Sequence, residues 1–259
     1  MTSCAIVIPI YRALLSADEA YSVAVSLSNL AGHDVYWISP RSLDTSYYEQ
    51  NYPVRYIKRY DDRYFSNVES YSSLLVQDWF YEDFSNYEHI LICQTDAVVM
   101  KPELQDWLLT PYDYLGAPWP RGYSLQLQIP EIPLLGAVTC NAFVGNGGLS
   151  LRRVESCIGL IREFKSISSE WASQGHAEDL YFGFLGNLSK KFLLPNVMTA
   201  ARFSHDIDPK YLQQMIGGET PFAVHAWNKY DRELWTEILS TLPAGAPPSP
   251  VQAKVRQAC

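Results

Sequence analysis

The sequence lacks the features that mark several large classes of protein. Its apolar runs fall well short of the ~20 residues that a membrane-spanning helix needs. Basic residues are in deficit, with 20 Lys plus Arg against 28 Asp plus Glu and a formal net charge of -8 at pH 7. Nucleic-acid-binding proteins normally present a basic surface, so no nucleic-acid partner is expected. Hydrophobic residues make up 47% of the chain, which excludes wholesale disorder.

Cysteines are few and far apart. The chain has five, and no two form a C-x-x-C pair, so the sequence indicates neither a zinc site nor a disulfide framework. The first ten residues have neither the charged segment nor the small-residue cleavage site of a signal peptide. We therefore expect a cytoplasmic protein with reduced thiols.

Several catalytic motifs are missing as well. The sequence has no G-x-x-x-x-G-K-[ST] phosphate loop and no G-x-G-x-x-G after its first strand. It also has no G-x-S-x-G nucleophile elbow and no H-E-x-x-H zinc motif. These absences disfavour P-loop nucleoside triphosphatases, dinucleotide-dependent enzymes, serine hydrolases and zinc proteases.

The first hundred residues alternate between apolar strands and capped helices. Strands are predicted over 5–10, 35–38, 54–57 and 89–93, and capping boxes at 16–19 and 66–69 open helices, the second running to about residue 81. This order predicts an α/β fold with a mostly parallel sheet flanked by helices. Ligands of such sheets bind beyond the carboxyl ends of the strands. The residues placed there are Tyr11, Arg12, Ser39, Gln94, Thr95 and Asp96.

The second half of the sequence is less regular. Residues 118–133 are rich in Pro, Gly and Tyr and predict a long loop. Residues 141–151 predict a strand, a glycine turn and a second strand, and 221–224 a short strand; helices are expected over 153–164 and 179–188. Residues 1–242 are expected to form a single domain, with 243–259 as a Pro/Ala-rich linker or disordered tail.

Four short segments could carry chemistry, and each has a structural alternative. Asp96 ends an apolar strand, where a carboxylate either binds Mg²⁺ or Mn²⁺ or simply caps a turn. The turn at 145–148 either brings backbone N–H groups to a ligand or forms an ordinary hairpin. Glu178 and Asp179 serve either as a helix-terminal pair or as a general base. His225 is either a core histidine or a metal ligand, and Trp227 could line a sugar pocket.

Taken in order, these segments resemble glycosyltransferases of the GT-A fold. More narrowly, the chain is similar to a bacterial family, once listed as a domain of unknown function, that occurs in gene clusters for surface-polysaccharide synthesis. The segments that carry the resemblance are YEHILICQTDAVV, YDYLGAPW, VGNGGLSLRR, EDLYFG and PFAVHAW, which together span residues 87–227. Each segment alone is unspecific, whereas QTDA followed by GNGGLSLR is fairly specific.

The resemblance implies roles for individual residues. Asp96 matches the aspartate of the D-x-D motif that holds a divalent cation, Mn²⁺ or Mg²⁺, on the donor diphosphate, and His225 matches a late metal ligand. Gln94 replaces the first Asp of D-x-D, so the metal dependence is open. Asp179 corresponds to the base, with Glu178 beside it. The donor-binding set is Tyr11, Arg12, Ser39, Gln94, Thr95 and Asp96, and the acceptor-binding set is Asn146, Gly147, Gly148 and Trp227.

The function implied is transfer of a sugar from a nucleotide-sugar to a hydroxyl of a glycan or lipid-linked glycan, with inversion, in O-antigen or capsule synthesis. A lipid-linked acceptor would place the protein at the inner face of the membrane, where other domains or enzymes of an assembly complex are expected partners. Three alternatives stay open. They are a non-catalytic nucleotide- or sugar-binding module with the same fold, a nucleotidyltransferase, and an interaction domain tethered by its Pro-rich tail.

Overall fold

A six-stranded sheet lies at the centre of the molecule, which is seen in a computed structural model that describes residues 3–130 and 136–242. The strands in chain order are β1 (Cys4–Pro9), β2 (Asp34–Pro40), β3 (Tyr56–Tyr60), β4 (His89–Cys93), β5 (Val98–Val99), β6 (Tyr114–Gly116), β7 (Pro118–Gln128), β8 (Ala137–Val144), β9 (Leu149–Arg153), β10 (Ser204–His205) and β11 (Ala223–Val224).

Helices connect most of these strands. They are α1 (Ala17–Asn29), α2 (Ser46–Asn51), a 3₁₀ helix (Asp62–Phe65), α3 (Val68–Leu75), α4 (Asp78–Glu82), α5 (Leu104–Leu108), α6 (Val154–Glu163), α7 (Lys165–Gln174), α8 (Glu178–Leu188), α9 (Val197–Phe203), α10 (Pro209–Met215) and α11 (Arg232–Leu239). No helix among the described residues is long and apolar enough to cross a membrane.

The central sheet is mostly parallel, as predicted. Its order is β3-β2-β1-β4-β9-β6; β1 pairs in parallel with β2 and β4, and β2 with β3, whereas β9 runs antiparallel to β4 and β6. Because β9 is reversed, the turn that precedes it lies at the same sheet edge as the carboxyl end of β4. Two smaller sheets, β10-β11-β5 and the hairpin β7-β8, complete the fold.

Both faces of the central sheet are covered by helices. Along β1, Ala5 and Val7 belong to one buried cluster and Ile6 and Ile8 to another, so the strand alternates between two cores. An apolar residue at every position is typical of a parallel strand that is buried on both faces. This explains why the predicted strands at 5–10 and 89–93 read as unbroken apolar runs.

The loop predicted over residues 118–133 is wrong over most of its length. Residues 118–128 form β7, which pairs antiparallel with β8 in a register that shifts between Pro118 and Tyr123. Pro120 and Gly122 fall in that irregular stretch, so the strand has no clean alternation to read in the sequence.

Smaller corrections concern element boundaries. The second capping box is built by Asn67 and Ser70 rather than at 66–69, and the helix it opens ends at Leu75 before the separate α4. The third strand starts at Tyr56 and runs on to Tyr60. The Pro/Ala-rich tail predicted for 243–259 lies outside the described residues.

Candidate active site

Four chain segments meet at one edge of the molecule. The carboxyl end of β4 supplies Gln94 to Asp96, and the turn before β9 supplies Asn146 to Gly148. Backbone hydrogen bonding joins these two segments directly, because Gln94 N–H donates to Gly148 O at 2.9 Å. The start of α8 adds Glu178 and Asp179, and the small sheet adds the fourth segment.

The small sheet brings together residues that are far apart in sequence. Strands β10 and β11 are parallel and pair His205 with Val224, so the residues that follow them, Asp206 and His225, come side by side. Strand β5 runs antiparallel to β11 and pairs Val98 with Val224, which places Asp96 at the same end. Strand pairing thus accounts for the Asp96–His225–Asp206 grouping.

Three polar atoms converge at this point. His225 Nε2 lies 3.2 Å from Gln94 Oε1 and 3.3 Å from Asp96 Oδ1. On the other side of the ring, His225 Nδ1 lies 3.5 Å from Asp206 Oδ1. Within the described ranges, no three His, Cys, Asp or Glu side chains are grouped so as to hold a metal ion. The groups that converge are the carboxylate of Asp96, the imidazole of His225 and the amide oxygen of Gln94, each of which can offer a lone pair to a cation.

The two carboxylates control the charge of the imidazole. Burial alone would lower the pKa of His225, but the carboxylates of Asp206 and Asp96 beside the ring raise it to about 10. Burial favours the neutral form of Asp96, yet its interaction with His225 holds the pKa of that carboxyl below its usual value. At neutral pH without a cation, His225 is thus an imidazolium between two carboxylates.

The two glycines of the turn at 147–148 are needed for close approach. A Cβ on Gly148 would lie 2.2 Å from ring atoms of His225, and a Cβ on Gly147 would lie 2.2 Å from Glu178 Oε1. Neither glycine has a positive φ, so the requirement is space rather than backbone conformation. The diglycine turn therefore separates His225 on one side from Glu178 on the other.

Glu178 belongs to a closed hydrogen-bond network. Its Oε1 accepts from Arg152 Nη2 at 2.8 Å and its Oε2 from Ser72 Oγ at 3.1 Å. Arg152 is fully buried; it also donates to Ser150 Oγ and Tyr81 Oη and lies over the rings of Tyr114 and Phe182. With a buried cation holding it, Glu178 is not free to take a proton from a substrate, so the structure favours a positioning role.

Asp179 is placed differently from its neighbour. Burial and then the charge of Glu178 raise its pKa to about 7, while backbone N–H groups of Leu180 and Gly147 act in the opposite direction. Its Oδ1 accepts a hydrogen bond from Leu180 N–H at 2.7 Å. No Lys, Arg or His among the described residues forms a salt bridge with Asp179, since the nearby Arg152 pairs with Glu178. A carboxylate whose pKa lies near neutral pH is suited to proton transfer.

A cleft of about 460 Å³ adjoins this cluster. Its lining includes five of the six residues predicted to bind the donor: Tyr11, Arg12, Gln94, Thr95 and Asp96. The buried carboxylate of Glu19 ties two of them together, since it pairs with Arg12 and accepts from Thr95 Oγ1 at 2.8 Å. The volume is within the usual range for a small-molecule site.

The structure places three predicted residues away from a substrate position. Trp227 is 0% exposed and donates to Ser22 Oγ within the core, so its ring does not line a sugar pocket. Ser39 is also 0% exposed, and it is not part of the cleft lining. Asn146 donates from Nδ2 to Asp206 Oδ2 and accepts from Gly148 N–H at 3.2 Å, so both ends of its side-chain amide are engaged within the protein.

Sequence reasoning missed Arg152, Asp206 and Glu19. An arginine within a short strand, directly after Leu149, Ser150 and Leu151, is a signal that could have found the first. The second follows a Ser-His pair that resembles the Val-His pair before Ala226, but only the parallel pairing of β10 with β11 relates the two. Glu19 was read only as the last residue of a capping box, a role that it also fills.

Several glycosyltransferases are among the solved structures with a similar fold. A galactosyltransferase, LgtC, in complex with donor and acceptor sugar analogues has a TM-score of 0.51 at 13% identity, with 97% of this chain and 99% of that chain covered. The bifunctional glycosyltransferase WbbM has a TM-score of 0.52 at 11% identity, over 100% of this chain and 52% of that chain. GlyE from Streptococcus pneumoniae TIGR4 gives 0.50 at 12% identity, over 100% and 64%.

These likenesses show the GT-A fold that the sequence predicted, at identities too low to carry over a substrate. No curated protein is similar enough in sequence to count as a match. One family pattern matches residues 55–225, and its description is "Protein of unknown function (DUF5672)". Since that match spans more than half of the 259 residues, the chain belongs to the DUF5672 family.

Proposed function

We propose that the protein is a glycosyltransferase that moves a sugar from a nucleotide-sugar to a hydroxyl of a glycan or lipid-linked glycan. The observation that carries the proposal is the arrangement around the diglycine turn. Gly148 contacts the side with Gln94, Asp96 and His225, and Gly147 contacts the side with Asp179. A donor-diphosphate site and a general base are thereby held within one short stretch of backbone.

The residues present fit a divalent cation, Mn²⁺ or Mg²⁺, at the donor site. Carboxylate, amide and imidazole groups are ligand types that such cations accept. The separations of His225 Nε2 from Gln94 Oε1 and from Asp96 Oδ1 are 3.2 and 3.3 Å. Asp96, His225 and Gln94 would hold the ion, and a bound cation would neutralise negative charge on the departing diphosphate. His225 must lose its Nε2 proton before that nitrogen can serve as a ligand, so the affinity for a cation is expected to rise with pH.

The chain's own groups perform the rest of the reaction. The cleft takes the nucleotide, and the positive charge of Arg12 in its lining complements the diphosphate. Lys229, which interacts electrostatically with Asp96 and Asp206, adds a second positive charge. Asp179 takes the proton from the acceptor hydroxyl as its oxygen forms a bond to the anomeric carbon. The bond from that carbon to the diphosphate oxygen breaks, and its electron pair leaves with the nucleoside diphosphate. Attack opposite the leaving group inverts the anomeric centre.

The test starts from a panel of nucleotide-sugars that is scored by thermal stabilisation and then by release of nucleoside diphosphate. With the donor so identified, Asp179→Asn is expected to lower turnover about 10²- to 10⁴-fold while donor binding is kept. Glu170→Gln, which changes an exposed carboxylate on α7, is the matched control and should leave turnover unchanged. Full turnover in Asp179→Asn would refute the assignment of the base.

A second candidate, a nucleotide- or sugar-binding module without catalysis, is favoured by one observation. Gln94 supplies a neutral amide where a second carboxylate would strengthen cation binding. Stabilisation of the protein by a nucleotide-sugar that is never consumed, with any acceptor glycan offered, would support this candidate.

The wider setting is also proposed. A lipid-linked acceptor in surface-polysaccharide synthesis would bring the protein to the inner face of the membrane, beside other enzymes of the same assembly. Co-sedimentation with vesicles that carry a polyprenyl-diphosphate glycan, compared with vesicles without it, tests this placement.

A further inference from the structure

Two buried polar atoms face each other beside the proposed donor site. His225 Nδ1 and Asp206 Oδ1 are 3.5 Å apart, and neither has a hydrogen-bond partner among the described residues. Leaving a buried donor or acceptor unpaired costs about 1–3 kcal/mol. Each atom therefore has the other as its nearest available partner, at a distance that a small rotation of the ring converts to a hydrogen bond.

The second oxygen of Asp206 is fixed from the other side. Asn146 Nδ2 donates to Asp206 Oδ2, Asn146 Oδ1 accepts from Gly148 N–H, and Gly148 O accepts from Gln94 N–H. The chain of contacts returns to His225 through Gln94 Oε1 at 3.2 Å. Asp206 is only 4% exposed, so this ring of contacts, rather than solvent, determines how its carboxylate is oriented.

We propose that Asp206 is a positioning residue for the donor site, held in place by Asn146. By accepting the Nδ1 proton of His225, its carboxylate makes Nε2 the nitrogen that can serve as a ligand once its own proton has left, and Nε2 points toward Gln94 and Asp96. A carboxylate that holds the far nitrogen of a metal-binding histidine fixes both tautomer and ring orientation. The inference rests on the proposed function, since it assigns the residue that prepares His225 for a cation.

The test exploits the direction of each hydrogen bond. In Asp206→Asn, Asn146 Nδ2 still requires an acceptor, so the new amide turns its oxygen toward Asn146 and its NH₂ toward His225 Nδ1. That NH₂ enforces the wrong histidine tautomer. Adding Asn146→Asp reverses the amide, because the new carboxylate accepts from the NH₂ and the amide oxygen again faces Nδ1. Gly148 N–H keeps its acceptor in both variants.

Mn²⁺ binding, followed by electron paramagnetic resonance of the free ion, with and without UDP, is the readout. Asp206→Asn is expected to weaken Mn²⁺ binding about 10- to 100-fold. The double variant Asn146→Asp/Asp206→Asn should recover most of that loss. Asp113→Asn is the matched control, because Asp113 is a buried, hydrogen-bonded carboxylate at the opposite end of the sheet; it should leave Mn²⁺ affinity unchanged. Melting temperatures confirm that each variant is folded.

Unchanged Mn²⁺ affinity in Asp206→Asn, or no recovery in a folded double variant, would overturn the inference. His225→Gln separates this failure from a failure of the donor site itself. If His225→Gln loses the ion and Asp206→Asn does not, only the positioning role is wrong. If wild-type protein binds no Mn²⁺ with or without UDP, the positioning role is also wrong, and the proposed transferase is then judged by its turnover in EDTA.

Discussion

A buried pair of oppositely charged side chains lies on each side of the diglycine turn, and the two pairs differ in how many of their polar atoms are hydrogen-bonded. Beyond Gly147, the side-chain polar atoms of the buried Arg152–Glu178 pair hydrogen-bond to each other or to Ser72, Tyr81 and Ser150. Beyond Gly148, His225 Nδ1 and Asp206 Oδ1 have no hydrogen-bond partner among the described residues. His225 Nε2 lies 3.2 Å from Gln94 Oε1 and 3.3 Å from Asp96 Oδ1. A buried pair whose polar atoms are all hydrogen-bonded stabilises a fold, whereas a buried pair with unpaired polar atoms is typical of a functional site.

The largest expected effect concerns the satisfied side. Arg152→Met removes a fully buried cation and leaves Glu178 charged without a partner, so we expect a loss of about 3–5 kcal/mol in the free energy of unfolding. His225→Gln, on the unsatisfied side, should cost less, because Asp96 keeps contact with solvent and Nδ1 has no hydrogen bond to lose. Urea denaturation of both variants measures the difference. Equal losses would remove the contrast between the two sides.

The next effect is a pH dependence that originates at Asp179. A base must be deprotonated, so turnover should rise about tenfold per pH unit below a pKa of about 7 and level off above it. Because the negative charge of Glu178 helps to raise that pKa, Glu178→Gln should move the rising limb to lower pH. Initial rates between pH 5 and pH 9 on the two proteins measure the shift. A profile unmoved by Glu178→Gln would show that the limb belongs to another group.

The same raised pKa affects stability with a definite sign. In the folded state the pKa of Asp179 is about 7, whereas in the unfolded chain it returns to the ordinary aspartate value of 3.8. The unfolded state therefore binds fewer protons between these values, and stability falls as pH rises through this window. Above pH 7 this cost is complete, which is the pattern expected of a residue kept for chemistry.

Alanine substitutions at Gly147 and Gly148 should have smaller effects, and each should affect mainly one property, either Mn²⁺ affinity or the free energy of unfolding. Gly148→Ala drives a Cβ into the ring of His225 and should weaken Mn²⁺ binding at least tenfold, with a stability loss of about 1–3 kcal/mol. Gly147→Ala displaces Glu178 Oε1 from Arg152, so its main effect should be on unfolding, with Mn²⁺ affinity preserved. Gly159→Ala is the matched control, since a helical glycine with open space around its Cβ should tolerate the change. Identical profiles for Gly147→Ala and Gly148→Ala would contradict the separation.

The features that the sequence predicts are those that depend on local patterns, and the features that it does not predict depend on long-range strand pairing. The parallel strands and Gln94 to Asp96 were predictable because apolar runs and the residue after each run are local signals. Trp227 was misread because the chain turns at Ala226, which has a positive φ of 50°, and the turn sends the indole into the core. Asp206 was missed because its role depends on the pairing of β10 with β11, which no local pattern reports. Long-range strand pairing therefore decides that Asp206 reaches the site.

The smallest expected effect tests whether an unpaired polar atom alone marks a site. Ser39 Oγ is buried and has no hydrogen-bond partner among the described residues, as is true of His225 Nδ1, yet no other donor converges on it and it does not line the cleft. Ser39→Ala should therefore change the free energy of unfolding by no more than about 0.5 kcal/mol, since removing an unsatisfied hydroxyl offsets its own desolvation cost. Nucleotide-induced stabilisation should be unchanged in a melting experiment. If that stabilisation is lost, Ser39 does contact the donor, and convergence of donors is not what distinguishes the His225 side of the turn.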